Sequence, residues 1–426
     1  MRFFLLSALT LFIFISCQPQ QDQTAEVVDP ADYGFNPEQL HQIDSVFVQE
    51  IREDDISGGV ALVARDGNVV FEEAWGWKNI EDDIPMQTHH LFRIASMTKA
   101  VTSVATLQLY ENGQLSLNDP VSNYIPGFEN PEVLTEFYPE TGEYISRPAD
   151  TEITIHHLLT HTSGISYGFS DEVFGQIYAN HDIPDLGTEE NKTIDETVTA
   201  LADLPIMHDP GESFTYGLNT DVLGRIVEVV SGMPLNEYFR ENIFDPLGMD
   251  DTGFYLPGRE GDLTTLYTNP DDQFQPYPLD PAGGISPNFP VQGAMTYYSG
   301  GAGLSSTARD YYTFLQALLN GGTYDGYELL ENETWQLMKS NQIGDLDLDG
   351  NKFGYGLMIT TEEAAEDGMR PPGSLSWSGA FQTTYWIDPS NEMIVVIMTQ
   401  VLPSPSREEF YDDFERAVYD ALETAE

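Results

Sequence analysis

The chain has 426 residues, 41% of them hydrophobic and 12% aromatic, with 17 Lys and Arg against 70 Asp and Glu and a formal charge of -53. That length allows a large core or two co-folded lobes, and the aromatic content and regular apolar runs argue against a disordered acidic chain. The charge excludes bulk electrostatic attraction to nucleic acid or anionic lipid, and the single cysteine excludes an internal disulfide and any cysteine-based metal site.

Met1-Arg2 and the apolar run over residues 3–15, interrupted only by Ser7 and Thr10, have the layout of an export signal and are short for a membrane span. Cys17 follows Ile15-Ser16 directly. The segment resembles a bacterial lipoprotein signal, in which the cysteine is lipidated and becomes the mature N-terminus; Phe14 stands where leucine is usual. This implies a signal segment over 1–17, a flexible tether over 18–33 and an exported protein held to the bacterial envelope by lipid on Cys17 alone. A plain cleaved signal with an incidental cysteine is the alternative.

Asn36, Pro37 and Gln39 open a helix as capping residue, first helical position and third, and Leu40, Ile43, Phe47 and Ile51 mark its buried face. Residues 59–64 and 69–77 read as a hairpin turning on Asp66-Gly67-Asn68. From Ser96 a helix runs to a stop at Gly113, with Met97, Val101, Val104 and Ala105 on one stripe. Short helices, loops and Pro/Gly-rich connections fill the middle. Strand character returns at 354–360, 375–387 and 393–399, the last two joined by Asp388-Pro389-Ser390-Asn391, and a final helix carries Phe410, Phe414, Val418 and Ala421. The expected fold is an α/β lobe built from both ends, 34–117 and 296–426, with a mostly helical lobe over 118–295 inserted in it.

Ser96-Met97-Thr98-Lys99 carries the chemistry. A serine at the start of a helix and a lysine three residues later share one face, the helix N-terminus favours a developing alkoxide, and a neutral lysine can accept the serine proton. The spacing is common in surface helices, but Phe92-Arg93-Ile94-Ala95 before it and an apolar helix after it place this turn beside a buried cleft.

The segment Phe92-Arg-Ile-Ala-Ser-Met-Thr-Lys99 resembles the active-site segment of serine β-lactamases of class C and their relatives, the penicillin-binding-protein-like hydrolases and family VIII esterases. Ile153-Thr-Ile-His-His-Leu-Leu-Thr-His-Thr-Ser-Gly164, Tyr216-Gly-Leu-Asn-Thr-Asp-Val-Leu-Gly224, Pro246-Leu-Gly-Met-Asp-Asp-Thr252 and Gly300-Gly-Ala-Gly-Leu-Ser-Ser-Thr307 follow in the family order. The similarity spans about residues 43–400. It implies a β-lactamase/transpeptidase-like α/β (α+β) fold, an antiparallel sheet flanked by helices with a helical lobe across the cleft. It also implies Ser96 as nucleophile, Lys99 and Tyr216 jointly as the proton carriers, and Trp377-Ser378-Gly379 in the place of the third motif. The oxyanion hole would be the backbone N–H groups of Ser96 and Ala380. No cofactor and no metal are implied.

The resemblance implies Asn219, Trp377, Ser378 and Gly379 as the substrate-binding residues. Two departures bear on the substrate. The second motif has Leu218 where the family has asparagine, with Asn219 one residue later, and the third motif has Trp377 where it has lysine. Those polar groups help β-lactamases hold the amide and carboxylate of the drug. Their loss is similar to the esterase branch, so a small carboxylic ester is the expected substrate. A β-lactam or a D-amino-acid peptide of the cell wall is the enzyme alternative, and a non-catalytic lipoprotein that binds wall peptides is the alternative of another class.

Three other motifs compete. Gly164-Ile165-Ser166-Tyr167-Gly168 fits G-x-S-x-G, but a helix-like Leu158-Leu159-Thr160-His161 leads into it where a nucleophile elbow needs a strand, so Ser166 is read as structural. His156, His157 and His161 lack carboxylate or cysteine partners at a telling spacing and are read as satisfying backbone groups at a helix end. Asp345, Asp347 and Asp349 mimic the start of a calcium loop whose twelfth position, which needs a glutamate, is Gly356. The acidity suits a surface that works in concentrated salt, where the Debye length is about 3 Å at 1 M, or an ordinary acidic exported protein.

Overall fold

The computed structural model describes residues 26–270, 273–278, 286–365 and 369–423; the export segment with Cys17 lies outside the described residues. Eight antiparallel strands form the main sheet, in the spatial order Lys352–Phe353, Met358–Ile359, Leu375–Gly379, Thr383–Asp388, Met393–Met398, Gly58–Arg65, Asn68–Asn79 and Ile84–Pro85. Its centre joins the two ends of the chain, with Leu62 opposite Val396 and Val63 opposite Val395. The expected hairpin is present and turns on Asp66 and Gly67, both at positive φ (51° and 74°). A two-residue turn of that kind matches the right-handed twist of the strands.

Strand alternation sorts the sheet into two faces. Val60, Leu62 and Ala64 belong to a core shared with Val101, Val104 and Ala105 of the helix Thr98–Glu111 and with the helix Ala308–Leu319. Ala61 and Val63 belong to the opposite core, which packs the helices Gln42–Arg52 and Arg407–Asp420 through Phe47, Phe410, Phe414 and Val418. The opening helix begins as read: Asn36 caps it by accepting from the Gln39 N–H, with Pro37 in its first position. The chain joins the domain before this helix. The Val28 N–H donates to the Val69 carbonyl at 3.0 Å, and residues Pro30–Tyr33 form a 3-10 turn whose Tyr33 carbonyl accepts from Arg65 at 2.9 Å. The segment read as tether therefore ends in fixed structure from Val28 onward.

The helix Thr98–Glu111 differs from the single apolar stripe expected, because every residue from Thr98 to Leu109 is buried. It runs between the sheet and the helices of residues 118–295, and one continuous core includes Val104, Ile155, Leu158, Val222 and Ile226. Two of its threonines find carbonyl partners: Thr102 Oγ1 donates to the Gly300 carbonyl at 2.6 Å and Thr106 Oγ1 to the Thr102 carbonyl at 2.9 Å. Burial on all sides, each large side chain contributing ~1.5–3 kcal/mol, fixes this helix more firmly than an amphipathic one.

Two strand expectations are corrected. The run 375–387 is two strands, with Gly379 paired to Thr383 across the loop 380–382 and Gln382 at φ 60°. A three-residue hairpin loop needs one residue in the left-handed region. The run 354–360 is interrupted at Gly356, φ 83°, leaving only two-residue strands on either side. The middle also holds an unforeseen hairpin, Glu132–Tyr138 with Glu143–Pro148, beside its helices. Among the described residues no helix is long and apolar enough to cross a membrane.

Candidate active site

Ser96 lies in a single 3-10 turn, Ala95–Met97, that feeds the α-helix starting at Thr98. The residue before it, Ala95, is fully buried with φ 41°, a backbone conformation that alanine adopts only when its surroundings enforce it. The enforcement is visible. Ile94 donates to the Leu304 carbonyl at 3.0 Å, and Phe92–Arg93 pairs with Ser305–Ser306. On the other side, Gly379 lies so close that a Cβ there would stand 2.4 Å from the Ile94 carbonyl oxygen and 2.2 Å from Thr383 Oγ1. Only glycine allows the third-motif strand this near the nucleophile turn, and the next residue, Ala380, stands beside it.

Lys99 is 1% exposed, one turn after Ser96. Its Nζ reaches Ser96 Oγ at 3.3 Å, Tyr167 OH at 2.8 Å and the Gly301 carbonyl at 2.8 Å. The Gly301 oxygen can only accept, so one N–H is committed there. The remaining positions on nitrogen face two hydroxyls, each able to give or take a proton. Nζ also lies 4.6 Å from the Tyr216 ring centroid and 5.1 Å from that of Tyr167, the distance of cation–π contacts.

Tyr216 is thus brought to Lys99, though through its ring. Its hydroxyl accepts a hydrogen bond from Trp377 Nε1 at 3.2 Å, and the two rings meet at 5.3 Å. The indole N–H can only donate, so the Tyr216 proton is left to point elsewhere. The hydroxyl that bonds the lysine belongs to Tyr167, which is completely buried; burial holds its phenol well above the usual range, so it remains protonated. Tyr167 lies inside the G-x-S-x-G-like stretch that was set aside. Ser166 beside it donates to the Tyr167 carbonyl at 3.0 Å and is buried, as a structural serine would be.

Behind the lysine sits Asp221, 1% exposed. It accepts from Ser299 Oγ at 2.6 Å and from the Gly301 N–H at 3.3 Å, so it holds the residue whose carbonyl accepts from Lys99. Burial pushes its carboxyl up to about 6, with the nearby Lys99 pulling the other way. A Cβ on Gly301 would stand 2.4 Å from Asp221 Oδ2, so this contact also requires glycine.

Trp377 lines the site half-buried, wedged between Tyr216 and Phe353, while Ser378 is half-buried opposite Thr384 in the ladder. Asn219 is not a cleft residue. It is fully buried, accepts from Ser163 Oγ at 2.5 Å, and donates to His161 Nδ1 at 2.9 Å and the Ile165 carbonyl at 3.2 Å. The side chain expected to meet substrate instead fastens the 161–166 loop. His161 lies under Tyr216, ring centroids 4.9 Å apart; burial, with Lys99 nearby, keeps its imidazole well below the usual range. His156 pairs with Tyr355 OH at 3.0 Å, and His157 accepts from the Thr154 N–H at 3.2 Å as part of a helix cap. The aspartates 345–349 form a turn in which Asp347 accepts from the Gly350 N–H.

A family model described as Beta-lactamase matches residues 43–419. The chain belongs to the beta-lactamase family. This beta-lactamase-family chain is 31% identical over 394 residues to esterase EstB of Burkholderia gladioli, covering 88% of this chain and 94% of the relative. It is 32% identical over 387 residues to lovastatin esterase of Penicillium rubens, covering 85% and 93%. Among solved structures it is similar to EstCE1, described as a hydrolase with promiscuous acyltransferase activity, with a TM-score of 0.76, 27% identity and coverage of 90% of this chain and 99% of that one. These likenesses bear out the beta-lactamase/transpeptidase-like fold expected from the motifs.

Proposed function

We propose that this protein is a serine hydrolase of carboxylic esters that works through an acyl-enzyme on Ser96. The observation that carries the reading is the contact of Ser96 Oγ with a lysine amine buried to 1% and held by one carbonyl and one tyrosine hydroxyl. In acylation, Ser96 Oγ bonds the ester carbonyl carbon while its proton passes to Lys99 Nζ. The negative oxygen that develops is met by the Ser96 and Ala380 N–H groups. Lys99, with Tyr167 and Tyr216 around it, then returns the proton to the alcohol oxygen as the carbon–oxygen bond breaks. Water, activated over the same groups, releases the acid and restores Ser96.

Esters are favoured over β-lactams by what the cleft wall lacks. An indole replaces the lysine of the third motif, and the only asparagine of the second motif is buried away from the cleft. The esterase relatives support the same choice. The layout of residues 1–17 supports export and a lipid anchor on Cys17.

Turnover of p-nitrophenyl acetate and nitrocefin by wild type and Ser96→Ala tests the reading. Ester turnover should exceed nitrocefin turnover and fall at least ~1000-fold in Ser96→Ala. Ester turnover that survives the substitution refutes the nucleophile, and faster nitrocefin turnover reverses the substrate order.

A further inference from the structure

Phe169 is the most exposed large hydrophobic side chain among the described residues, at 61%. Its ring stacks on Tyr167 with centroids 4.7 Å apart and planes at 17°. Tyr167 is itself fully buried, and its hydroxyl accepts from Lys99 Nζ at 2.8 Å. Phe169 is therefore the outer plate of a stack whose inner end is the site's lysine.

The backbone that presents this ring is fixed at both ends. Phe169 sits in the 3-10 turn Gly168–Ser170. The Gly168 N–H donates to Asp185 Oδ1 at 2.6 Å, and the Phe169 N–H donates to the same carboxylate. Immediately after the turn, Asp171 accepts from the Val173 and Phe174 N–H groups and caps the helix Glu172–Asn180. A large ring left in water on a rigid turn is a preorganised contact: it loses little conformational freedom when something covers it.

We propose that Phe169 is a specificity-determining residue that docks the alcohol group of the ester, and that flat apolar alcohols are preferred. This rests on the ester-hydrolase reading above. The direction follows from the chemistry. In acylation the bond from Ser96 Oγ to the acyl carbon forms and the bond from that carbon to the alcohol oxygen breaks. The proton taken from Ser96 must reach that departing oxygen, and its carriers are Lys99 with Tyr167 and Tyr216. The alcohol oxygen thus faces Lys99, and in this proposal the group attached to it lies over the Phe169 ring, the exposed end of a stack that reaches that lysine from behind through the buried Tyr167. The acyl group, tied to Ser96, keeps to the other side. By microscopic reversibility an alcohol that replaces water in deacylation enters over the same ring.

The test compares kcat/KM for benzyl acetate, ethyl acetate and ethyl phenylacetate in wild type, Phe169→Ala, Phe169→Trp and Ser96→Ala. Benzyl and ethyl alcohols are similar leaving groups, so the first two esters differ chiefly in the ring on the alcohol side; the third carries its ring on the acyl side. Phe169→Ala should lower kcat/KM about ten-fold for benzyl acetate, the scale of an aromatic stacking contact with its buried area, and two-fold or less for the two ethyl esters. Phe169→Trp should restore benzyl acetate. An equal loss on all three esters would make Phe169 a merely structural residue, and a loss confined to ethyl phenylacetate would place the acyl group there; either overturns the proposal. Ser96-dependent turnover with no alcohol-dependent loss removes this proposal alone, whereas no Ser96-dependent turnover of any ester removes the ester reading and this inference with it.

Discussion

Tyr167→Phe takes one oxygen out of the site and leaves its packing in place. The ring stays between Phe169 at 4.7 Å and Tyr216 at 5.4 Å. Lys99 keeps the Gly301 carbonyl at 2.8 Å and Ser96 at 3.3 Å. What disappears is a hydroxyl 2.8 Å from Nζ. A hydrogen bond to a charged group contributes ~1.5–3 kcal/mol. The lysine is charged while it holds the serine proton, so the bond is strongest in the transition state. At 1.36 kcal/mol per decade, the loss is about 10- to 150-fold in kcat. KM should change little, since the hydroxyl lies behind the lysine rather than against the substrate. The assay is steady-state hydrolysis of p-nitrophenyl acetate, with the denaturation midpoint measured in parallel to separate chemistry from folding. A kcat within two-fold of wild type would refute the claim that this hydroxyl shares the lysine's proton traffic.

Gly379→Ala would put a Cβ 2.4 Å from the Ile94 carbonyl oxygen, so the nucleophile turn or the edge strand must move; a shift near 1 Å costs about 100-fold in rate. The measurement is the rate at which a fluorophosphonate labels Ser96, and an unchanged rate would show that the strand is not seated against the turn. For Glu50, burial lifts the carboxyl from 4.5 to about 7, so the folded state keeps a proton that the unfolded state gives up. Wild-type stability from this group is therefore lost as pH rises from about 4.5 to about 7. Glu50→Gln should accordingly gain on wild type in urea midpoint between pH 5 and pH 8, and a difference independent of pH would contradict the assignment.

The features legible in the sequence were those made by neighbours along the chain. Ser96 and Lys99 are one helical turn apart, Asp66-Gly67 makes its own turn, and Phe410, Phe414 and Val418 repeat with the helix period and are all buried. Trp377 falls where the motif spacing puts it, against Tyr216. Contacts made across the fold were hidden. Tyr167 reaches Lys99 from 68 positions away and Gly301 from 202; each lies in a segment that stands out in the sequence, but nothing in those segments says that it meets the lysine. Asn219 shows how small a displacement matters: one residue later than the family position, at the start of the helix Asn219–Ser231, its amide turns into the 161–166 loop and leaves the cleft. The all-round burial of the helix Thr98–Glu111 is hidden by its threonines, whose hydroxyls are taken up inside the fold: Thr102 and Thr106 donate to carbonyls and Thr98 accepts from the Leu304 N–H.

The meeting of residues 34–36 with residues 421–423 has a practical consequence. Phe35 bridges to Leu422, the Asn36 N–H donates to the Ala421 carbonyl at 2.8 Å, and the Glu423 N–H to the Gly34 carbonyl at 2.9 Å. This junction packs with the helices Gln42–Arg52 and Arg407–Asp420, on the sheet face opposite the helix that follows Ser96. A cargo or support attached beside Gly34 or Glu423 would stand behind the sheet and leave the mouth of the cleft open to solution. A short linker from Glu423 to Gly34 in a shortened chain would join two segments already in contact, and new ends could be cut elsewhere on the surface, for instance at the Asp66-Gly67 turn.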